Sequence, residues 1–307
     1  MRNAFADEVT QLAKTDSRVM LLSGDIGNKL FDKFKAVDAN RFLNCGIAEA
    51  NMMGVAAGLA LNGLRPIVYT ITPFTTTRCF EQIRVDVCYH EAPVIIVGTG
   101  SGLSYAELGP THHSLEDLAI LRTLPGMQVI APCDATEMRL ALREAIKSNQ
   151  PTYIRIGKKG EPAIHDPKVN FEIGKAITVR EGNEVLFIAT GTLMPQVLKA
   201  ADELESQGIS AQVASFHSIK PLDDNYLKDC LSTYKLWVTV EEHGRLGGLG
   251  SAVAEFISQF SSHPPLLRLG TLDEFMHEMG TQEYARTRYG LDAAGIMRQV
   301  NARLIHA

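Results

Sequence analysis

The stretch Asn44-Cys45-Gly46-Ile47-Ala48-Glu49-Ala50-Asn51-Met52-Met53-Gly54-Val55-Ala56-Ala57-Gly58-Leu59-Ala60 joins a short apolar run to a helix of small residues. Gly46 ends the run. One carboxylate, Glu49, falls in the first turn of the helix, where the positive end of the helix dipole stabilises an acid. Gly54, Ala56, Ala57 and Gly58 carry so little side chain that another backbone can approach closely. On these residues alone, Glu49 is either an ordinary helix-start acid or a functional carboxylate.

The segments on either side have the same strand-then-helix character. Upstream, residues 2–14 carry Phe5, Val9 and Leu12 at helical spacing, with Arg2 just before the first turn. Residues 19–22 form a short apolar strand closed by Ser23-Gly24-Asp25. Asp25 either stands where open α/β sheets place ligands or caps a helical segment starting at Asn28. Downstream, strands are expected at 41–44, 67–71, 94–98, 127–130 and 153–156, with helices at 74–89 and 135–148. Short apolar runs alternating with helices mean a parallel sheet covered on both faces. From Gly157 to about Gly174 the chain turns to Lys, Gly, Pro and Asp, as an interdomain linker does. A second α/β pattern then gives strands at 185–191, 211–216, 237–243 and 266–270, and helices at 196–207 and 251–259. The expectation is two consecutive α/β domains, each a mainly parallel sheet flanked by helices: residues 1–160, a linker at 161–178, and residues 179–307.

Composition narrows the function classes. The chain has 307 residues, 45% hydrophobic and 21% charged, an ordinary globular balance. A net charge of −5 leaves no basic footprint for nucleic acid. No uninterrupted apolar stretch is long enough to span a membrane, and residues 1–8 lack the apolar core of a secretory signal. The five cysteines are odd in number and never spaced as CxxC, which argues for reduced, buried thiols in the cytoplasm and against a zinc site.

The loop at 98–114, Gly-Thr-Gly-Ser-Gly-Leu-Ser-Tyr-Ala-Glu-Leu-Gly-Pro-Thr-His-His-Ser, follows a middle strand. Its glycines could cradle a phosphate, but their spacing is not the dinucleotide fingerprint. His112 and His113 sit at a strand's carboxyl end, just before Ser114 as a helix cap, and that position favours a site.

The ordered set of motifs resembles the C-terminal half of the thiamine-diphosphate-dependent transketolases, over essentially the whole chain. The set runs from Gly46-Ile47-Ala48-Glu49, through Phe74 with a following aromatic and Gly109-Pro110-Thr111-His112, to Val240-Glu241-Glu242-His243 before Gly247-Gly248-Leu249-Gly250. The likeness is greatest to split transketolases, whose halves are separate chains. It implies a pyrimidine-binding domain followed by a transketolase C-terminal domain. Glu49 then matches the catalytic glutamate that hydrogen-bonds N1′ of the cofactor's aminopyrimidine. Phe74 and Phe80 match aromatic positions around that ring, and Asp25 an acid on its side of the site. His112, with His113 beside it, matches the histidine facing the substrate's oxygens. Arg2 and Arg155 fall where the family holds a sugar phosphate, which suits bidentate arginine–phosphate pairing.

Departures from the family also carry weight. Leu108 stands where the family has an aspartate that binds a sugar hydroxyl, so the choice of ketose should differ. A phosphate-end histidine is replaced near Gly100, and the family's Arg-Glu-His is Ala48-Glu49-Ala50 here. The Gly-Asp-Gly…Asn element that holds Mg2+ (or Ca2+) and the diphosphate is missing from the chain. The resemblance therefore implies a heteromer, α2β2, with an N-terminal-half subunit that binds most of the metal and diphosphate. The implied reaction is transfer of a two-carbon ketol unit from a phosphorylated ketose to an aldose. Three alternatives remain: the β subunit of a 2-oxo acid dehydrogenase, a deoxyxylulose-phosphate-synthase-like enzyme, and a non-catalytic partner subunit.

Overall fold

Runs such as Val-Met-Leu-Leu-Ser and Ile-Ile-Val-Gly-Thr are buried along their whole length, which suits strands covered on both faces. The computed structural model describes residues 1–27 and 29–305. The strands are β1 Val19–Ser23, β2 Phe42–Asn44, β3 Arg65–Ile71, β4 Ile95–Thr99, β5 Gln128–Ile130, β6 Thr152–Ile156, β7 Ile177–Arg180, β8 Val185–Ala189, β9 Ala211–Ser215, β10 Ser218–Lys220, β11 Leu236–Gly244 and β12 Leu266–Thr271. A seven-stranded sheet has the order β10-β5-β6-β4-β3-β1-β2, and a five-stranded sheet the order β12-β11-β8-β9-β7. All described pairings are parallel except the two that attach β10 to β5 and β7 to β9.

Two strands depart from the sequence reading. β7 begins inside the stretch assigned to the linker. β10 comes from the second half of the chain yet edges the first sheet, pairing Ser218 with Ile130. Three residues before a proline carry no alternation, so only this long-range pairing makes them a strand. One core cluster accordingly crosses the seam. It joins Met52, Ile83 and Tyr153 to Leu186, Trp237 and Val253.

The helix expected at 74–89 is broken into Thr72–Thr75, Thr77–Cys79, Phe80–Gln82 and a π-helical Ile83–Tyr89. The threonine run explains the break. The Thr75 and Thr76 hydroxyls donate to the Thr72 carbonyl at 3.0 and 2.7 Å, and Thr77 to Pro73 at 2.8 Å. Such side chains compete with the backbone for helical acceptors. Ser114 caps no helix; its amide donates to the Gly102 carbonyl at 3.0 Å, and the next helix is Asp117–Arg122. Asn28, the expected start of a segment capped by Asp25, lies outside the described residues, as do the last two residues of the second domain's range; the first helix after β1 is Asp32–Val37.

The helix Glu49–Leu61 begins at its acid, and buries Met52, Met53, Ala56, Ala57 and Ala60. Its glycines are not used for close packing within the chain. A Cβ on Gly58 would meet nothing within 4 Å, and Ile47, Val55 and Leu61 are exposed around it. Among the described residues no helix is long and apolar enough to cross a membrane.

Candidate active site at the strand ends

β1 to β4 run parallel, so the segments that follow them meet at one edge of the sheet, where α/β proteins bind ligands. Gly46, at φ +67°, makes the turn from β2 into the Glu49 helix. Glu49 is buried at 5% exposure, and its Oε2 accepts from Arg78 Nη1 at 2.9 Å. The Arg78 guanidinium lies 4.0 Å above the centre of the Phe74 ring. Phe74 in turn meets His112 edge-on, with ring centres 5.3 Å apart. Tyr105 flanks His112 at 6.0 Å, and Lys158 Nζ lies 4.4 Å over the Tyr105 ring. His112 Nδ1 is paired with the Thr111 hydroxyl at 2.9 Å, which leaves Nε2 for a ligand. A carboxylate, a cation, two aromatic faces and an imidazole therefore form one continuous wall.

The loop that carries His112 is shaped by glycine. Gly100 has φ +77°, and a Cβ there would lie 1.9 Å from the Tyr105 ring. Gly102, at φ +59°, leaves room for Glu242 of the second domain, whose Oε1 accepts from the Leu103 amide at 2.8 Å. Glu242 also takes the Arg286 guanidinium. Glu241 accepts from the Leu249 and Gly250 amides, both at 2.7 Å, and so caps the helix Leu249–Ile257. The Glu-Glu-His motif thus ties the loop and the second domain together.

The other expected site residues are distributed unevenly. Asp25 is exposed, and accepts from Asn44 Nδ2 at 3.4 Å; Asn44 also accepts from the Gly46 amide. That pair links the end of β1 to the turn before Glu49. Arg2 is half-buried, and its Nε is shielded from solvent with no hydrogen-bond partner. Burial pushes the Tyr69 phenol up, and the charge of Arg2 and the Tyr105 hydroxyl both act on it. Arg2 therefore belongs to the same neighbourhood as Tyr105.

Three further expected residues have protein surroundings of their own. Arg155 is 3% exposed, with Nε donating to Asp117 at 2.9 Å and Nη2 to the Ser114 and Glu242 carbonyls at 2.6 and 2.9 Å. It is held by protein partners at the domain seam, because β6 runs through the middle of the sheet and buries its side chains. His113 is buried, its Nε2 3.4 Å from the Ala106 carbonyl, and it lines a groove of about 610 Å³ with Leu115, Arg245 and Phe275. Burial lowers its pKa. Phe80 packs against the core holding Met52, Met53 and Ile83. Arg78, Tyr105 and Lys158 were not singled out from sequence. Arg78 could have been found, being one helical turn after Phe74.

Two family descriptions match the chain: the transketolase pyrimidine-binding domain over residues 1–161 and the transketolase C-terminal domain over residues 174–296. The 6-deoxy-6-sulfo-D-fructose transketolase subunit SqwH of Clostridium sp. (strain MSTE9) is 36% identical, over 97% of this chain and 92% of that protein. An apulose-4-phosphate transketolase subunit of Phocaeicola vulgatus is 35% identical, over 97% of this chain and 95% of that protein. A solved structure described as a split gene transketolase, inactive β4 tetramer, superposes with a TM-score of 0.88 at 34% identity, over 98% of this chain and 96% of that one.

Proposed function

The chain belongs to the transketolase family, a thiamine-diphosphate-dependent family of ketol transferases, and we propose that it provides the pyrimidine side of the cofactor site in a split enzyme. The observation that carries this is the wall from Glu49 through Arg78 and Phe74 to His112 at the strand ends. The residues fit an aminopyrimidine: a buried carboxylate at a helix start, beside a half-buried aromatic face. Glu49 would hydrogen-bond N1′ and hold the shared proton there, with Phe74 against the ring. Asp25 and Phe80 belong to the same side in this reading, Phe80 by backing the core under the site. When bound, the cofactor supplies the nucleophilic carbon for ketol transfer.

The chain's remaining residues handle the sugar. His112 Nε2 would orient and protonate oxygens at the reacting carbons. Arg2, whose Nε has no partner in the protein, would turn its guanidinium out to a terminal phosphate. Holding that remote anion would improve positioning at the reacting bond. Leu108, 47% exposed on the same loop, offers no acceptor to a sugar hydroxyl.

Metal and diphosphate would come mainly from an N-terminal-half subunit, in an α2β2 assembly. Mg2+ and Ca2+ take oxygen ligands. Among the described residues, the group of three close metal-ligating side chains offers sulfur and imidazole nitrogen beside a single carboxylate. The exposed apolar rim of Ile47, Val55 and Leu61 supports a partner on the Glu49 helix. The five unpaired cysteines support a reducing, cytoplasmic setting. In this reading the chain divides into residues 1–160, a linker at 161–178 whose end enters β7, and residues 179–307.

The test is reconstitution. The chain should show no ketol transfer alone and should turn over a ketose phosphate once paired with its N-terminal-half subunit. Glu49→Ala should abolish that turnover while the pair still assembles. Turnover by the single chain, or by the Glu49→Ala pair, would overturn the reading.

A further inference from the structure

Past the ends of β5 and β9, three chain segments meet at a second cluster of titratable groups. Asp134 caps the helix Ala135–Lys147: its Oδ1 accepts from the Glu137 amide at 2.8 Å. Its Oδ2 accepts from the Ile164 and His165 amides, both at 2.8 Å, and so holds the linker against the start of that helix. Glu137, fully buried, reaches back to the Cys133 amide at 2.6 Å. Its other oxygen accepts from Ser215 on β9 at 2.6 Å and pairs with His165 Nε2 at 2.8 Å.

A helix cap needs only the carboxylate. A thiol and an imidazole converging on it need a further reason. Cys133 Sγ, a Glu137 oxygen and a His165 ring nitrogen lie within 4.8 Å of one another. The His165 side chain is only 5% exposed. His217, two residues after Ser215, is the independent sign. It is 0% exposed, stacked on Phe171 at 4.1 Å, and neither ring nitrogen closes a hydrogen bond. Its carbonyl accepts from the Ala131 amide at 2.7 Å, two residues before Cys133, and Ser215 on the same segment touches Glu137, which sets it beside the cluster. A buried imidazole with both nitrogens idle is costly unless something takes them up.

We propose that Cys133, Glu137 and His165 bind one Zn2+ ion, with His217 swinging in as the fourth ligand. A thiolate, a carboxylate and imidazoles are the donors zinc takes in closed tetrahedral sites, and they disfavour Mg2+ and Ca2+. The thiolate and carboxylate together balance the ion's charge. Metal–ligand distances of about 2.0–2.3 Å put tetrahedral ligand atoms roughly 3.3–3.7 Å apart. Among the first three ligands, the His165–Glu137 contact must open from 2.8 Å and the Cys133 contacts close from at most 4.8 Å, while His217 must turn off Phe171 to reach the ion. Binding would displace the Cys133 proton to solvent, and the proton that His165 Nε2 gives to Glu137 would leave with it or shift to Nδ1. The ion would then lock the first domain, the linker and the second domain's strand to one point, separate from the Mg2+ that serves the diphosphate.

The experiment uses the full chain, purified without a metal-binding tag. Elemental analysis should find one zinc per chain. Refolding with Co2+ in place of zinc should give the near-ultraviolet thiolate-to-cobalt absorption. Cys133→Ala should lose that absorption and the zinc, and His165→Phe should lose at least tenfold in zinc affinity. Should either variant fail to fold, the wild-type chain still decides: a strong chelator should lower its melting temperature by several degrees, and Zn2+ but not Mg2+ should restore it. A folded chain that holds no zinc and takes none up on refolding with Zn2+ would overturn the proposal. So would zinc retained equally by both variants, which marks an adventitious ion only. None of these readouts depends on turnover, so the zinc site and the ketol-transfer reading fail independently.

Discussion

Replacing Arg155 by Met separates a fold-holding arginine from a phosphate ligand. Arg155 and Asp117 are 3% and 2% exposed, with Nε 2.9 Å from the carboxylate. Removing one member of a buried ion pair typically costs roughly 3–5 kcal/mol, because the other charge is left in a dry site. Asp117 would keep the Tyr153 hydroxyl at 2.6 Å, but its Oδ1 already has no partner. The Ser114 and Glu242 carbonyls would lose their shared donor, and Glu242 lies across the domain seam. With about 2–4 °C of melting temperature per kcal/mol for a chain of this size, Arg155→Met should melt roughly 6–20 °C lower. Adding Asp117→Leu removes the stranded charge, so the double variant should recover part of the loss. Calorimetry on the isolated chain gives the stability, and steady-state kinetics on the reconstituted pair gives the KM. An unchanged melting temperature with a KM for ketose phosphate raised tenfold or more would refute this reasoning and return Arg155 to the phosphate end.

Three further outcomes are expected. Gly100→Ala should lower kcat/KM of the reconstituted pair several-fold and destabilise the chain by roughly 1–2 kcal/mol, since a left-handed residue gains a Cβ against Tyr105; denaturant melts and kinetics would check it. His113, held below its ordinary pKa by burial, stays neutral where the unfolded histidine protonates. Its contribution is complete above about pH 6.5, the unfolded value, and is lost as pH falls through the folded one. His113→Gln should therefore flatten the stability-against-pH curve below pH 6.5, and a parallel pair of curves would contradict this. Arg78→Ala removes the cation that pairs with Glu49 and covers the Phe74 ring, so kcat/KM of the reconstituted pair should fall several-fold in steady-state kinetics; an unchanged value would mean that Arg78 leaves both once the cofactor binds.

Sequence alone determined the periodic part of this protein. Alternating short apolar runs and helices specify parallel sheets, because strands buried on both faces must be apolar throughout. The acid at the start of the small-residue helix and the histidine after Gly-Pro-Thr were legible as candidates, since both fall at strand carboxyl ends, where local pattern and topology agree, and the fold joins them through Arg78 and Phe74. Tertiary structure decided what depends on distant partners. β10 is a strand only because Ser218 meets Ile130. Arg155 and His113 are candidate ligands in sequence; only the fold pairs the first with Asp117 and sets the second in a groove between Leu115 and Phe275. Cys133 shows no metal spacing in the chain, and gains His165 as a neighbour only when the linker folds back on the Asp134 cap. The physical reason is range: backbone propensity and hydrophobic period are set within a few residues, whereas a side chain's charge is spent on whichever group the fold brings to it.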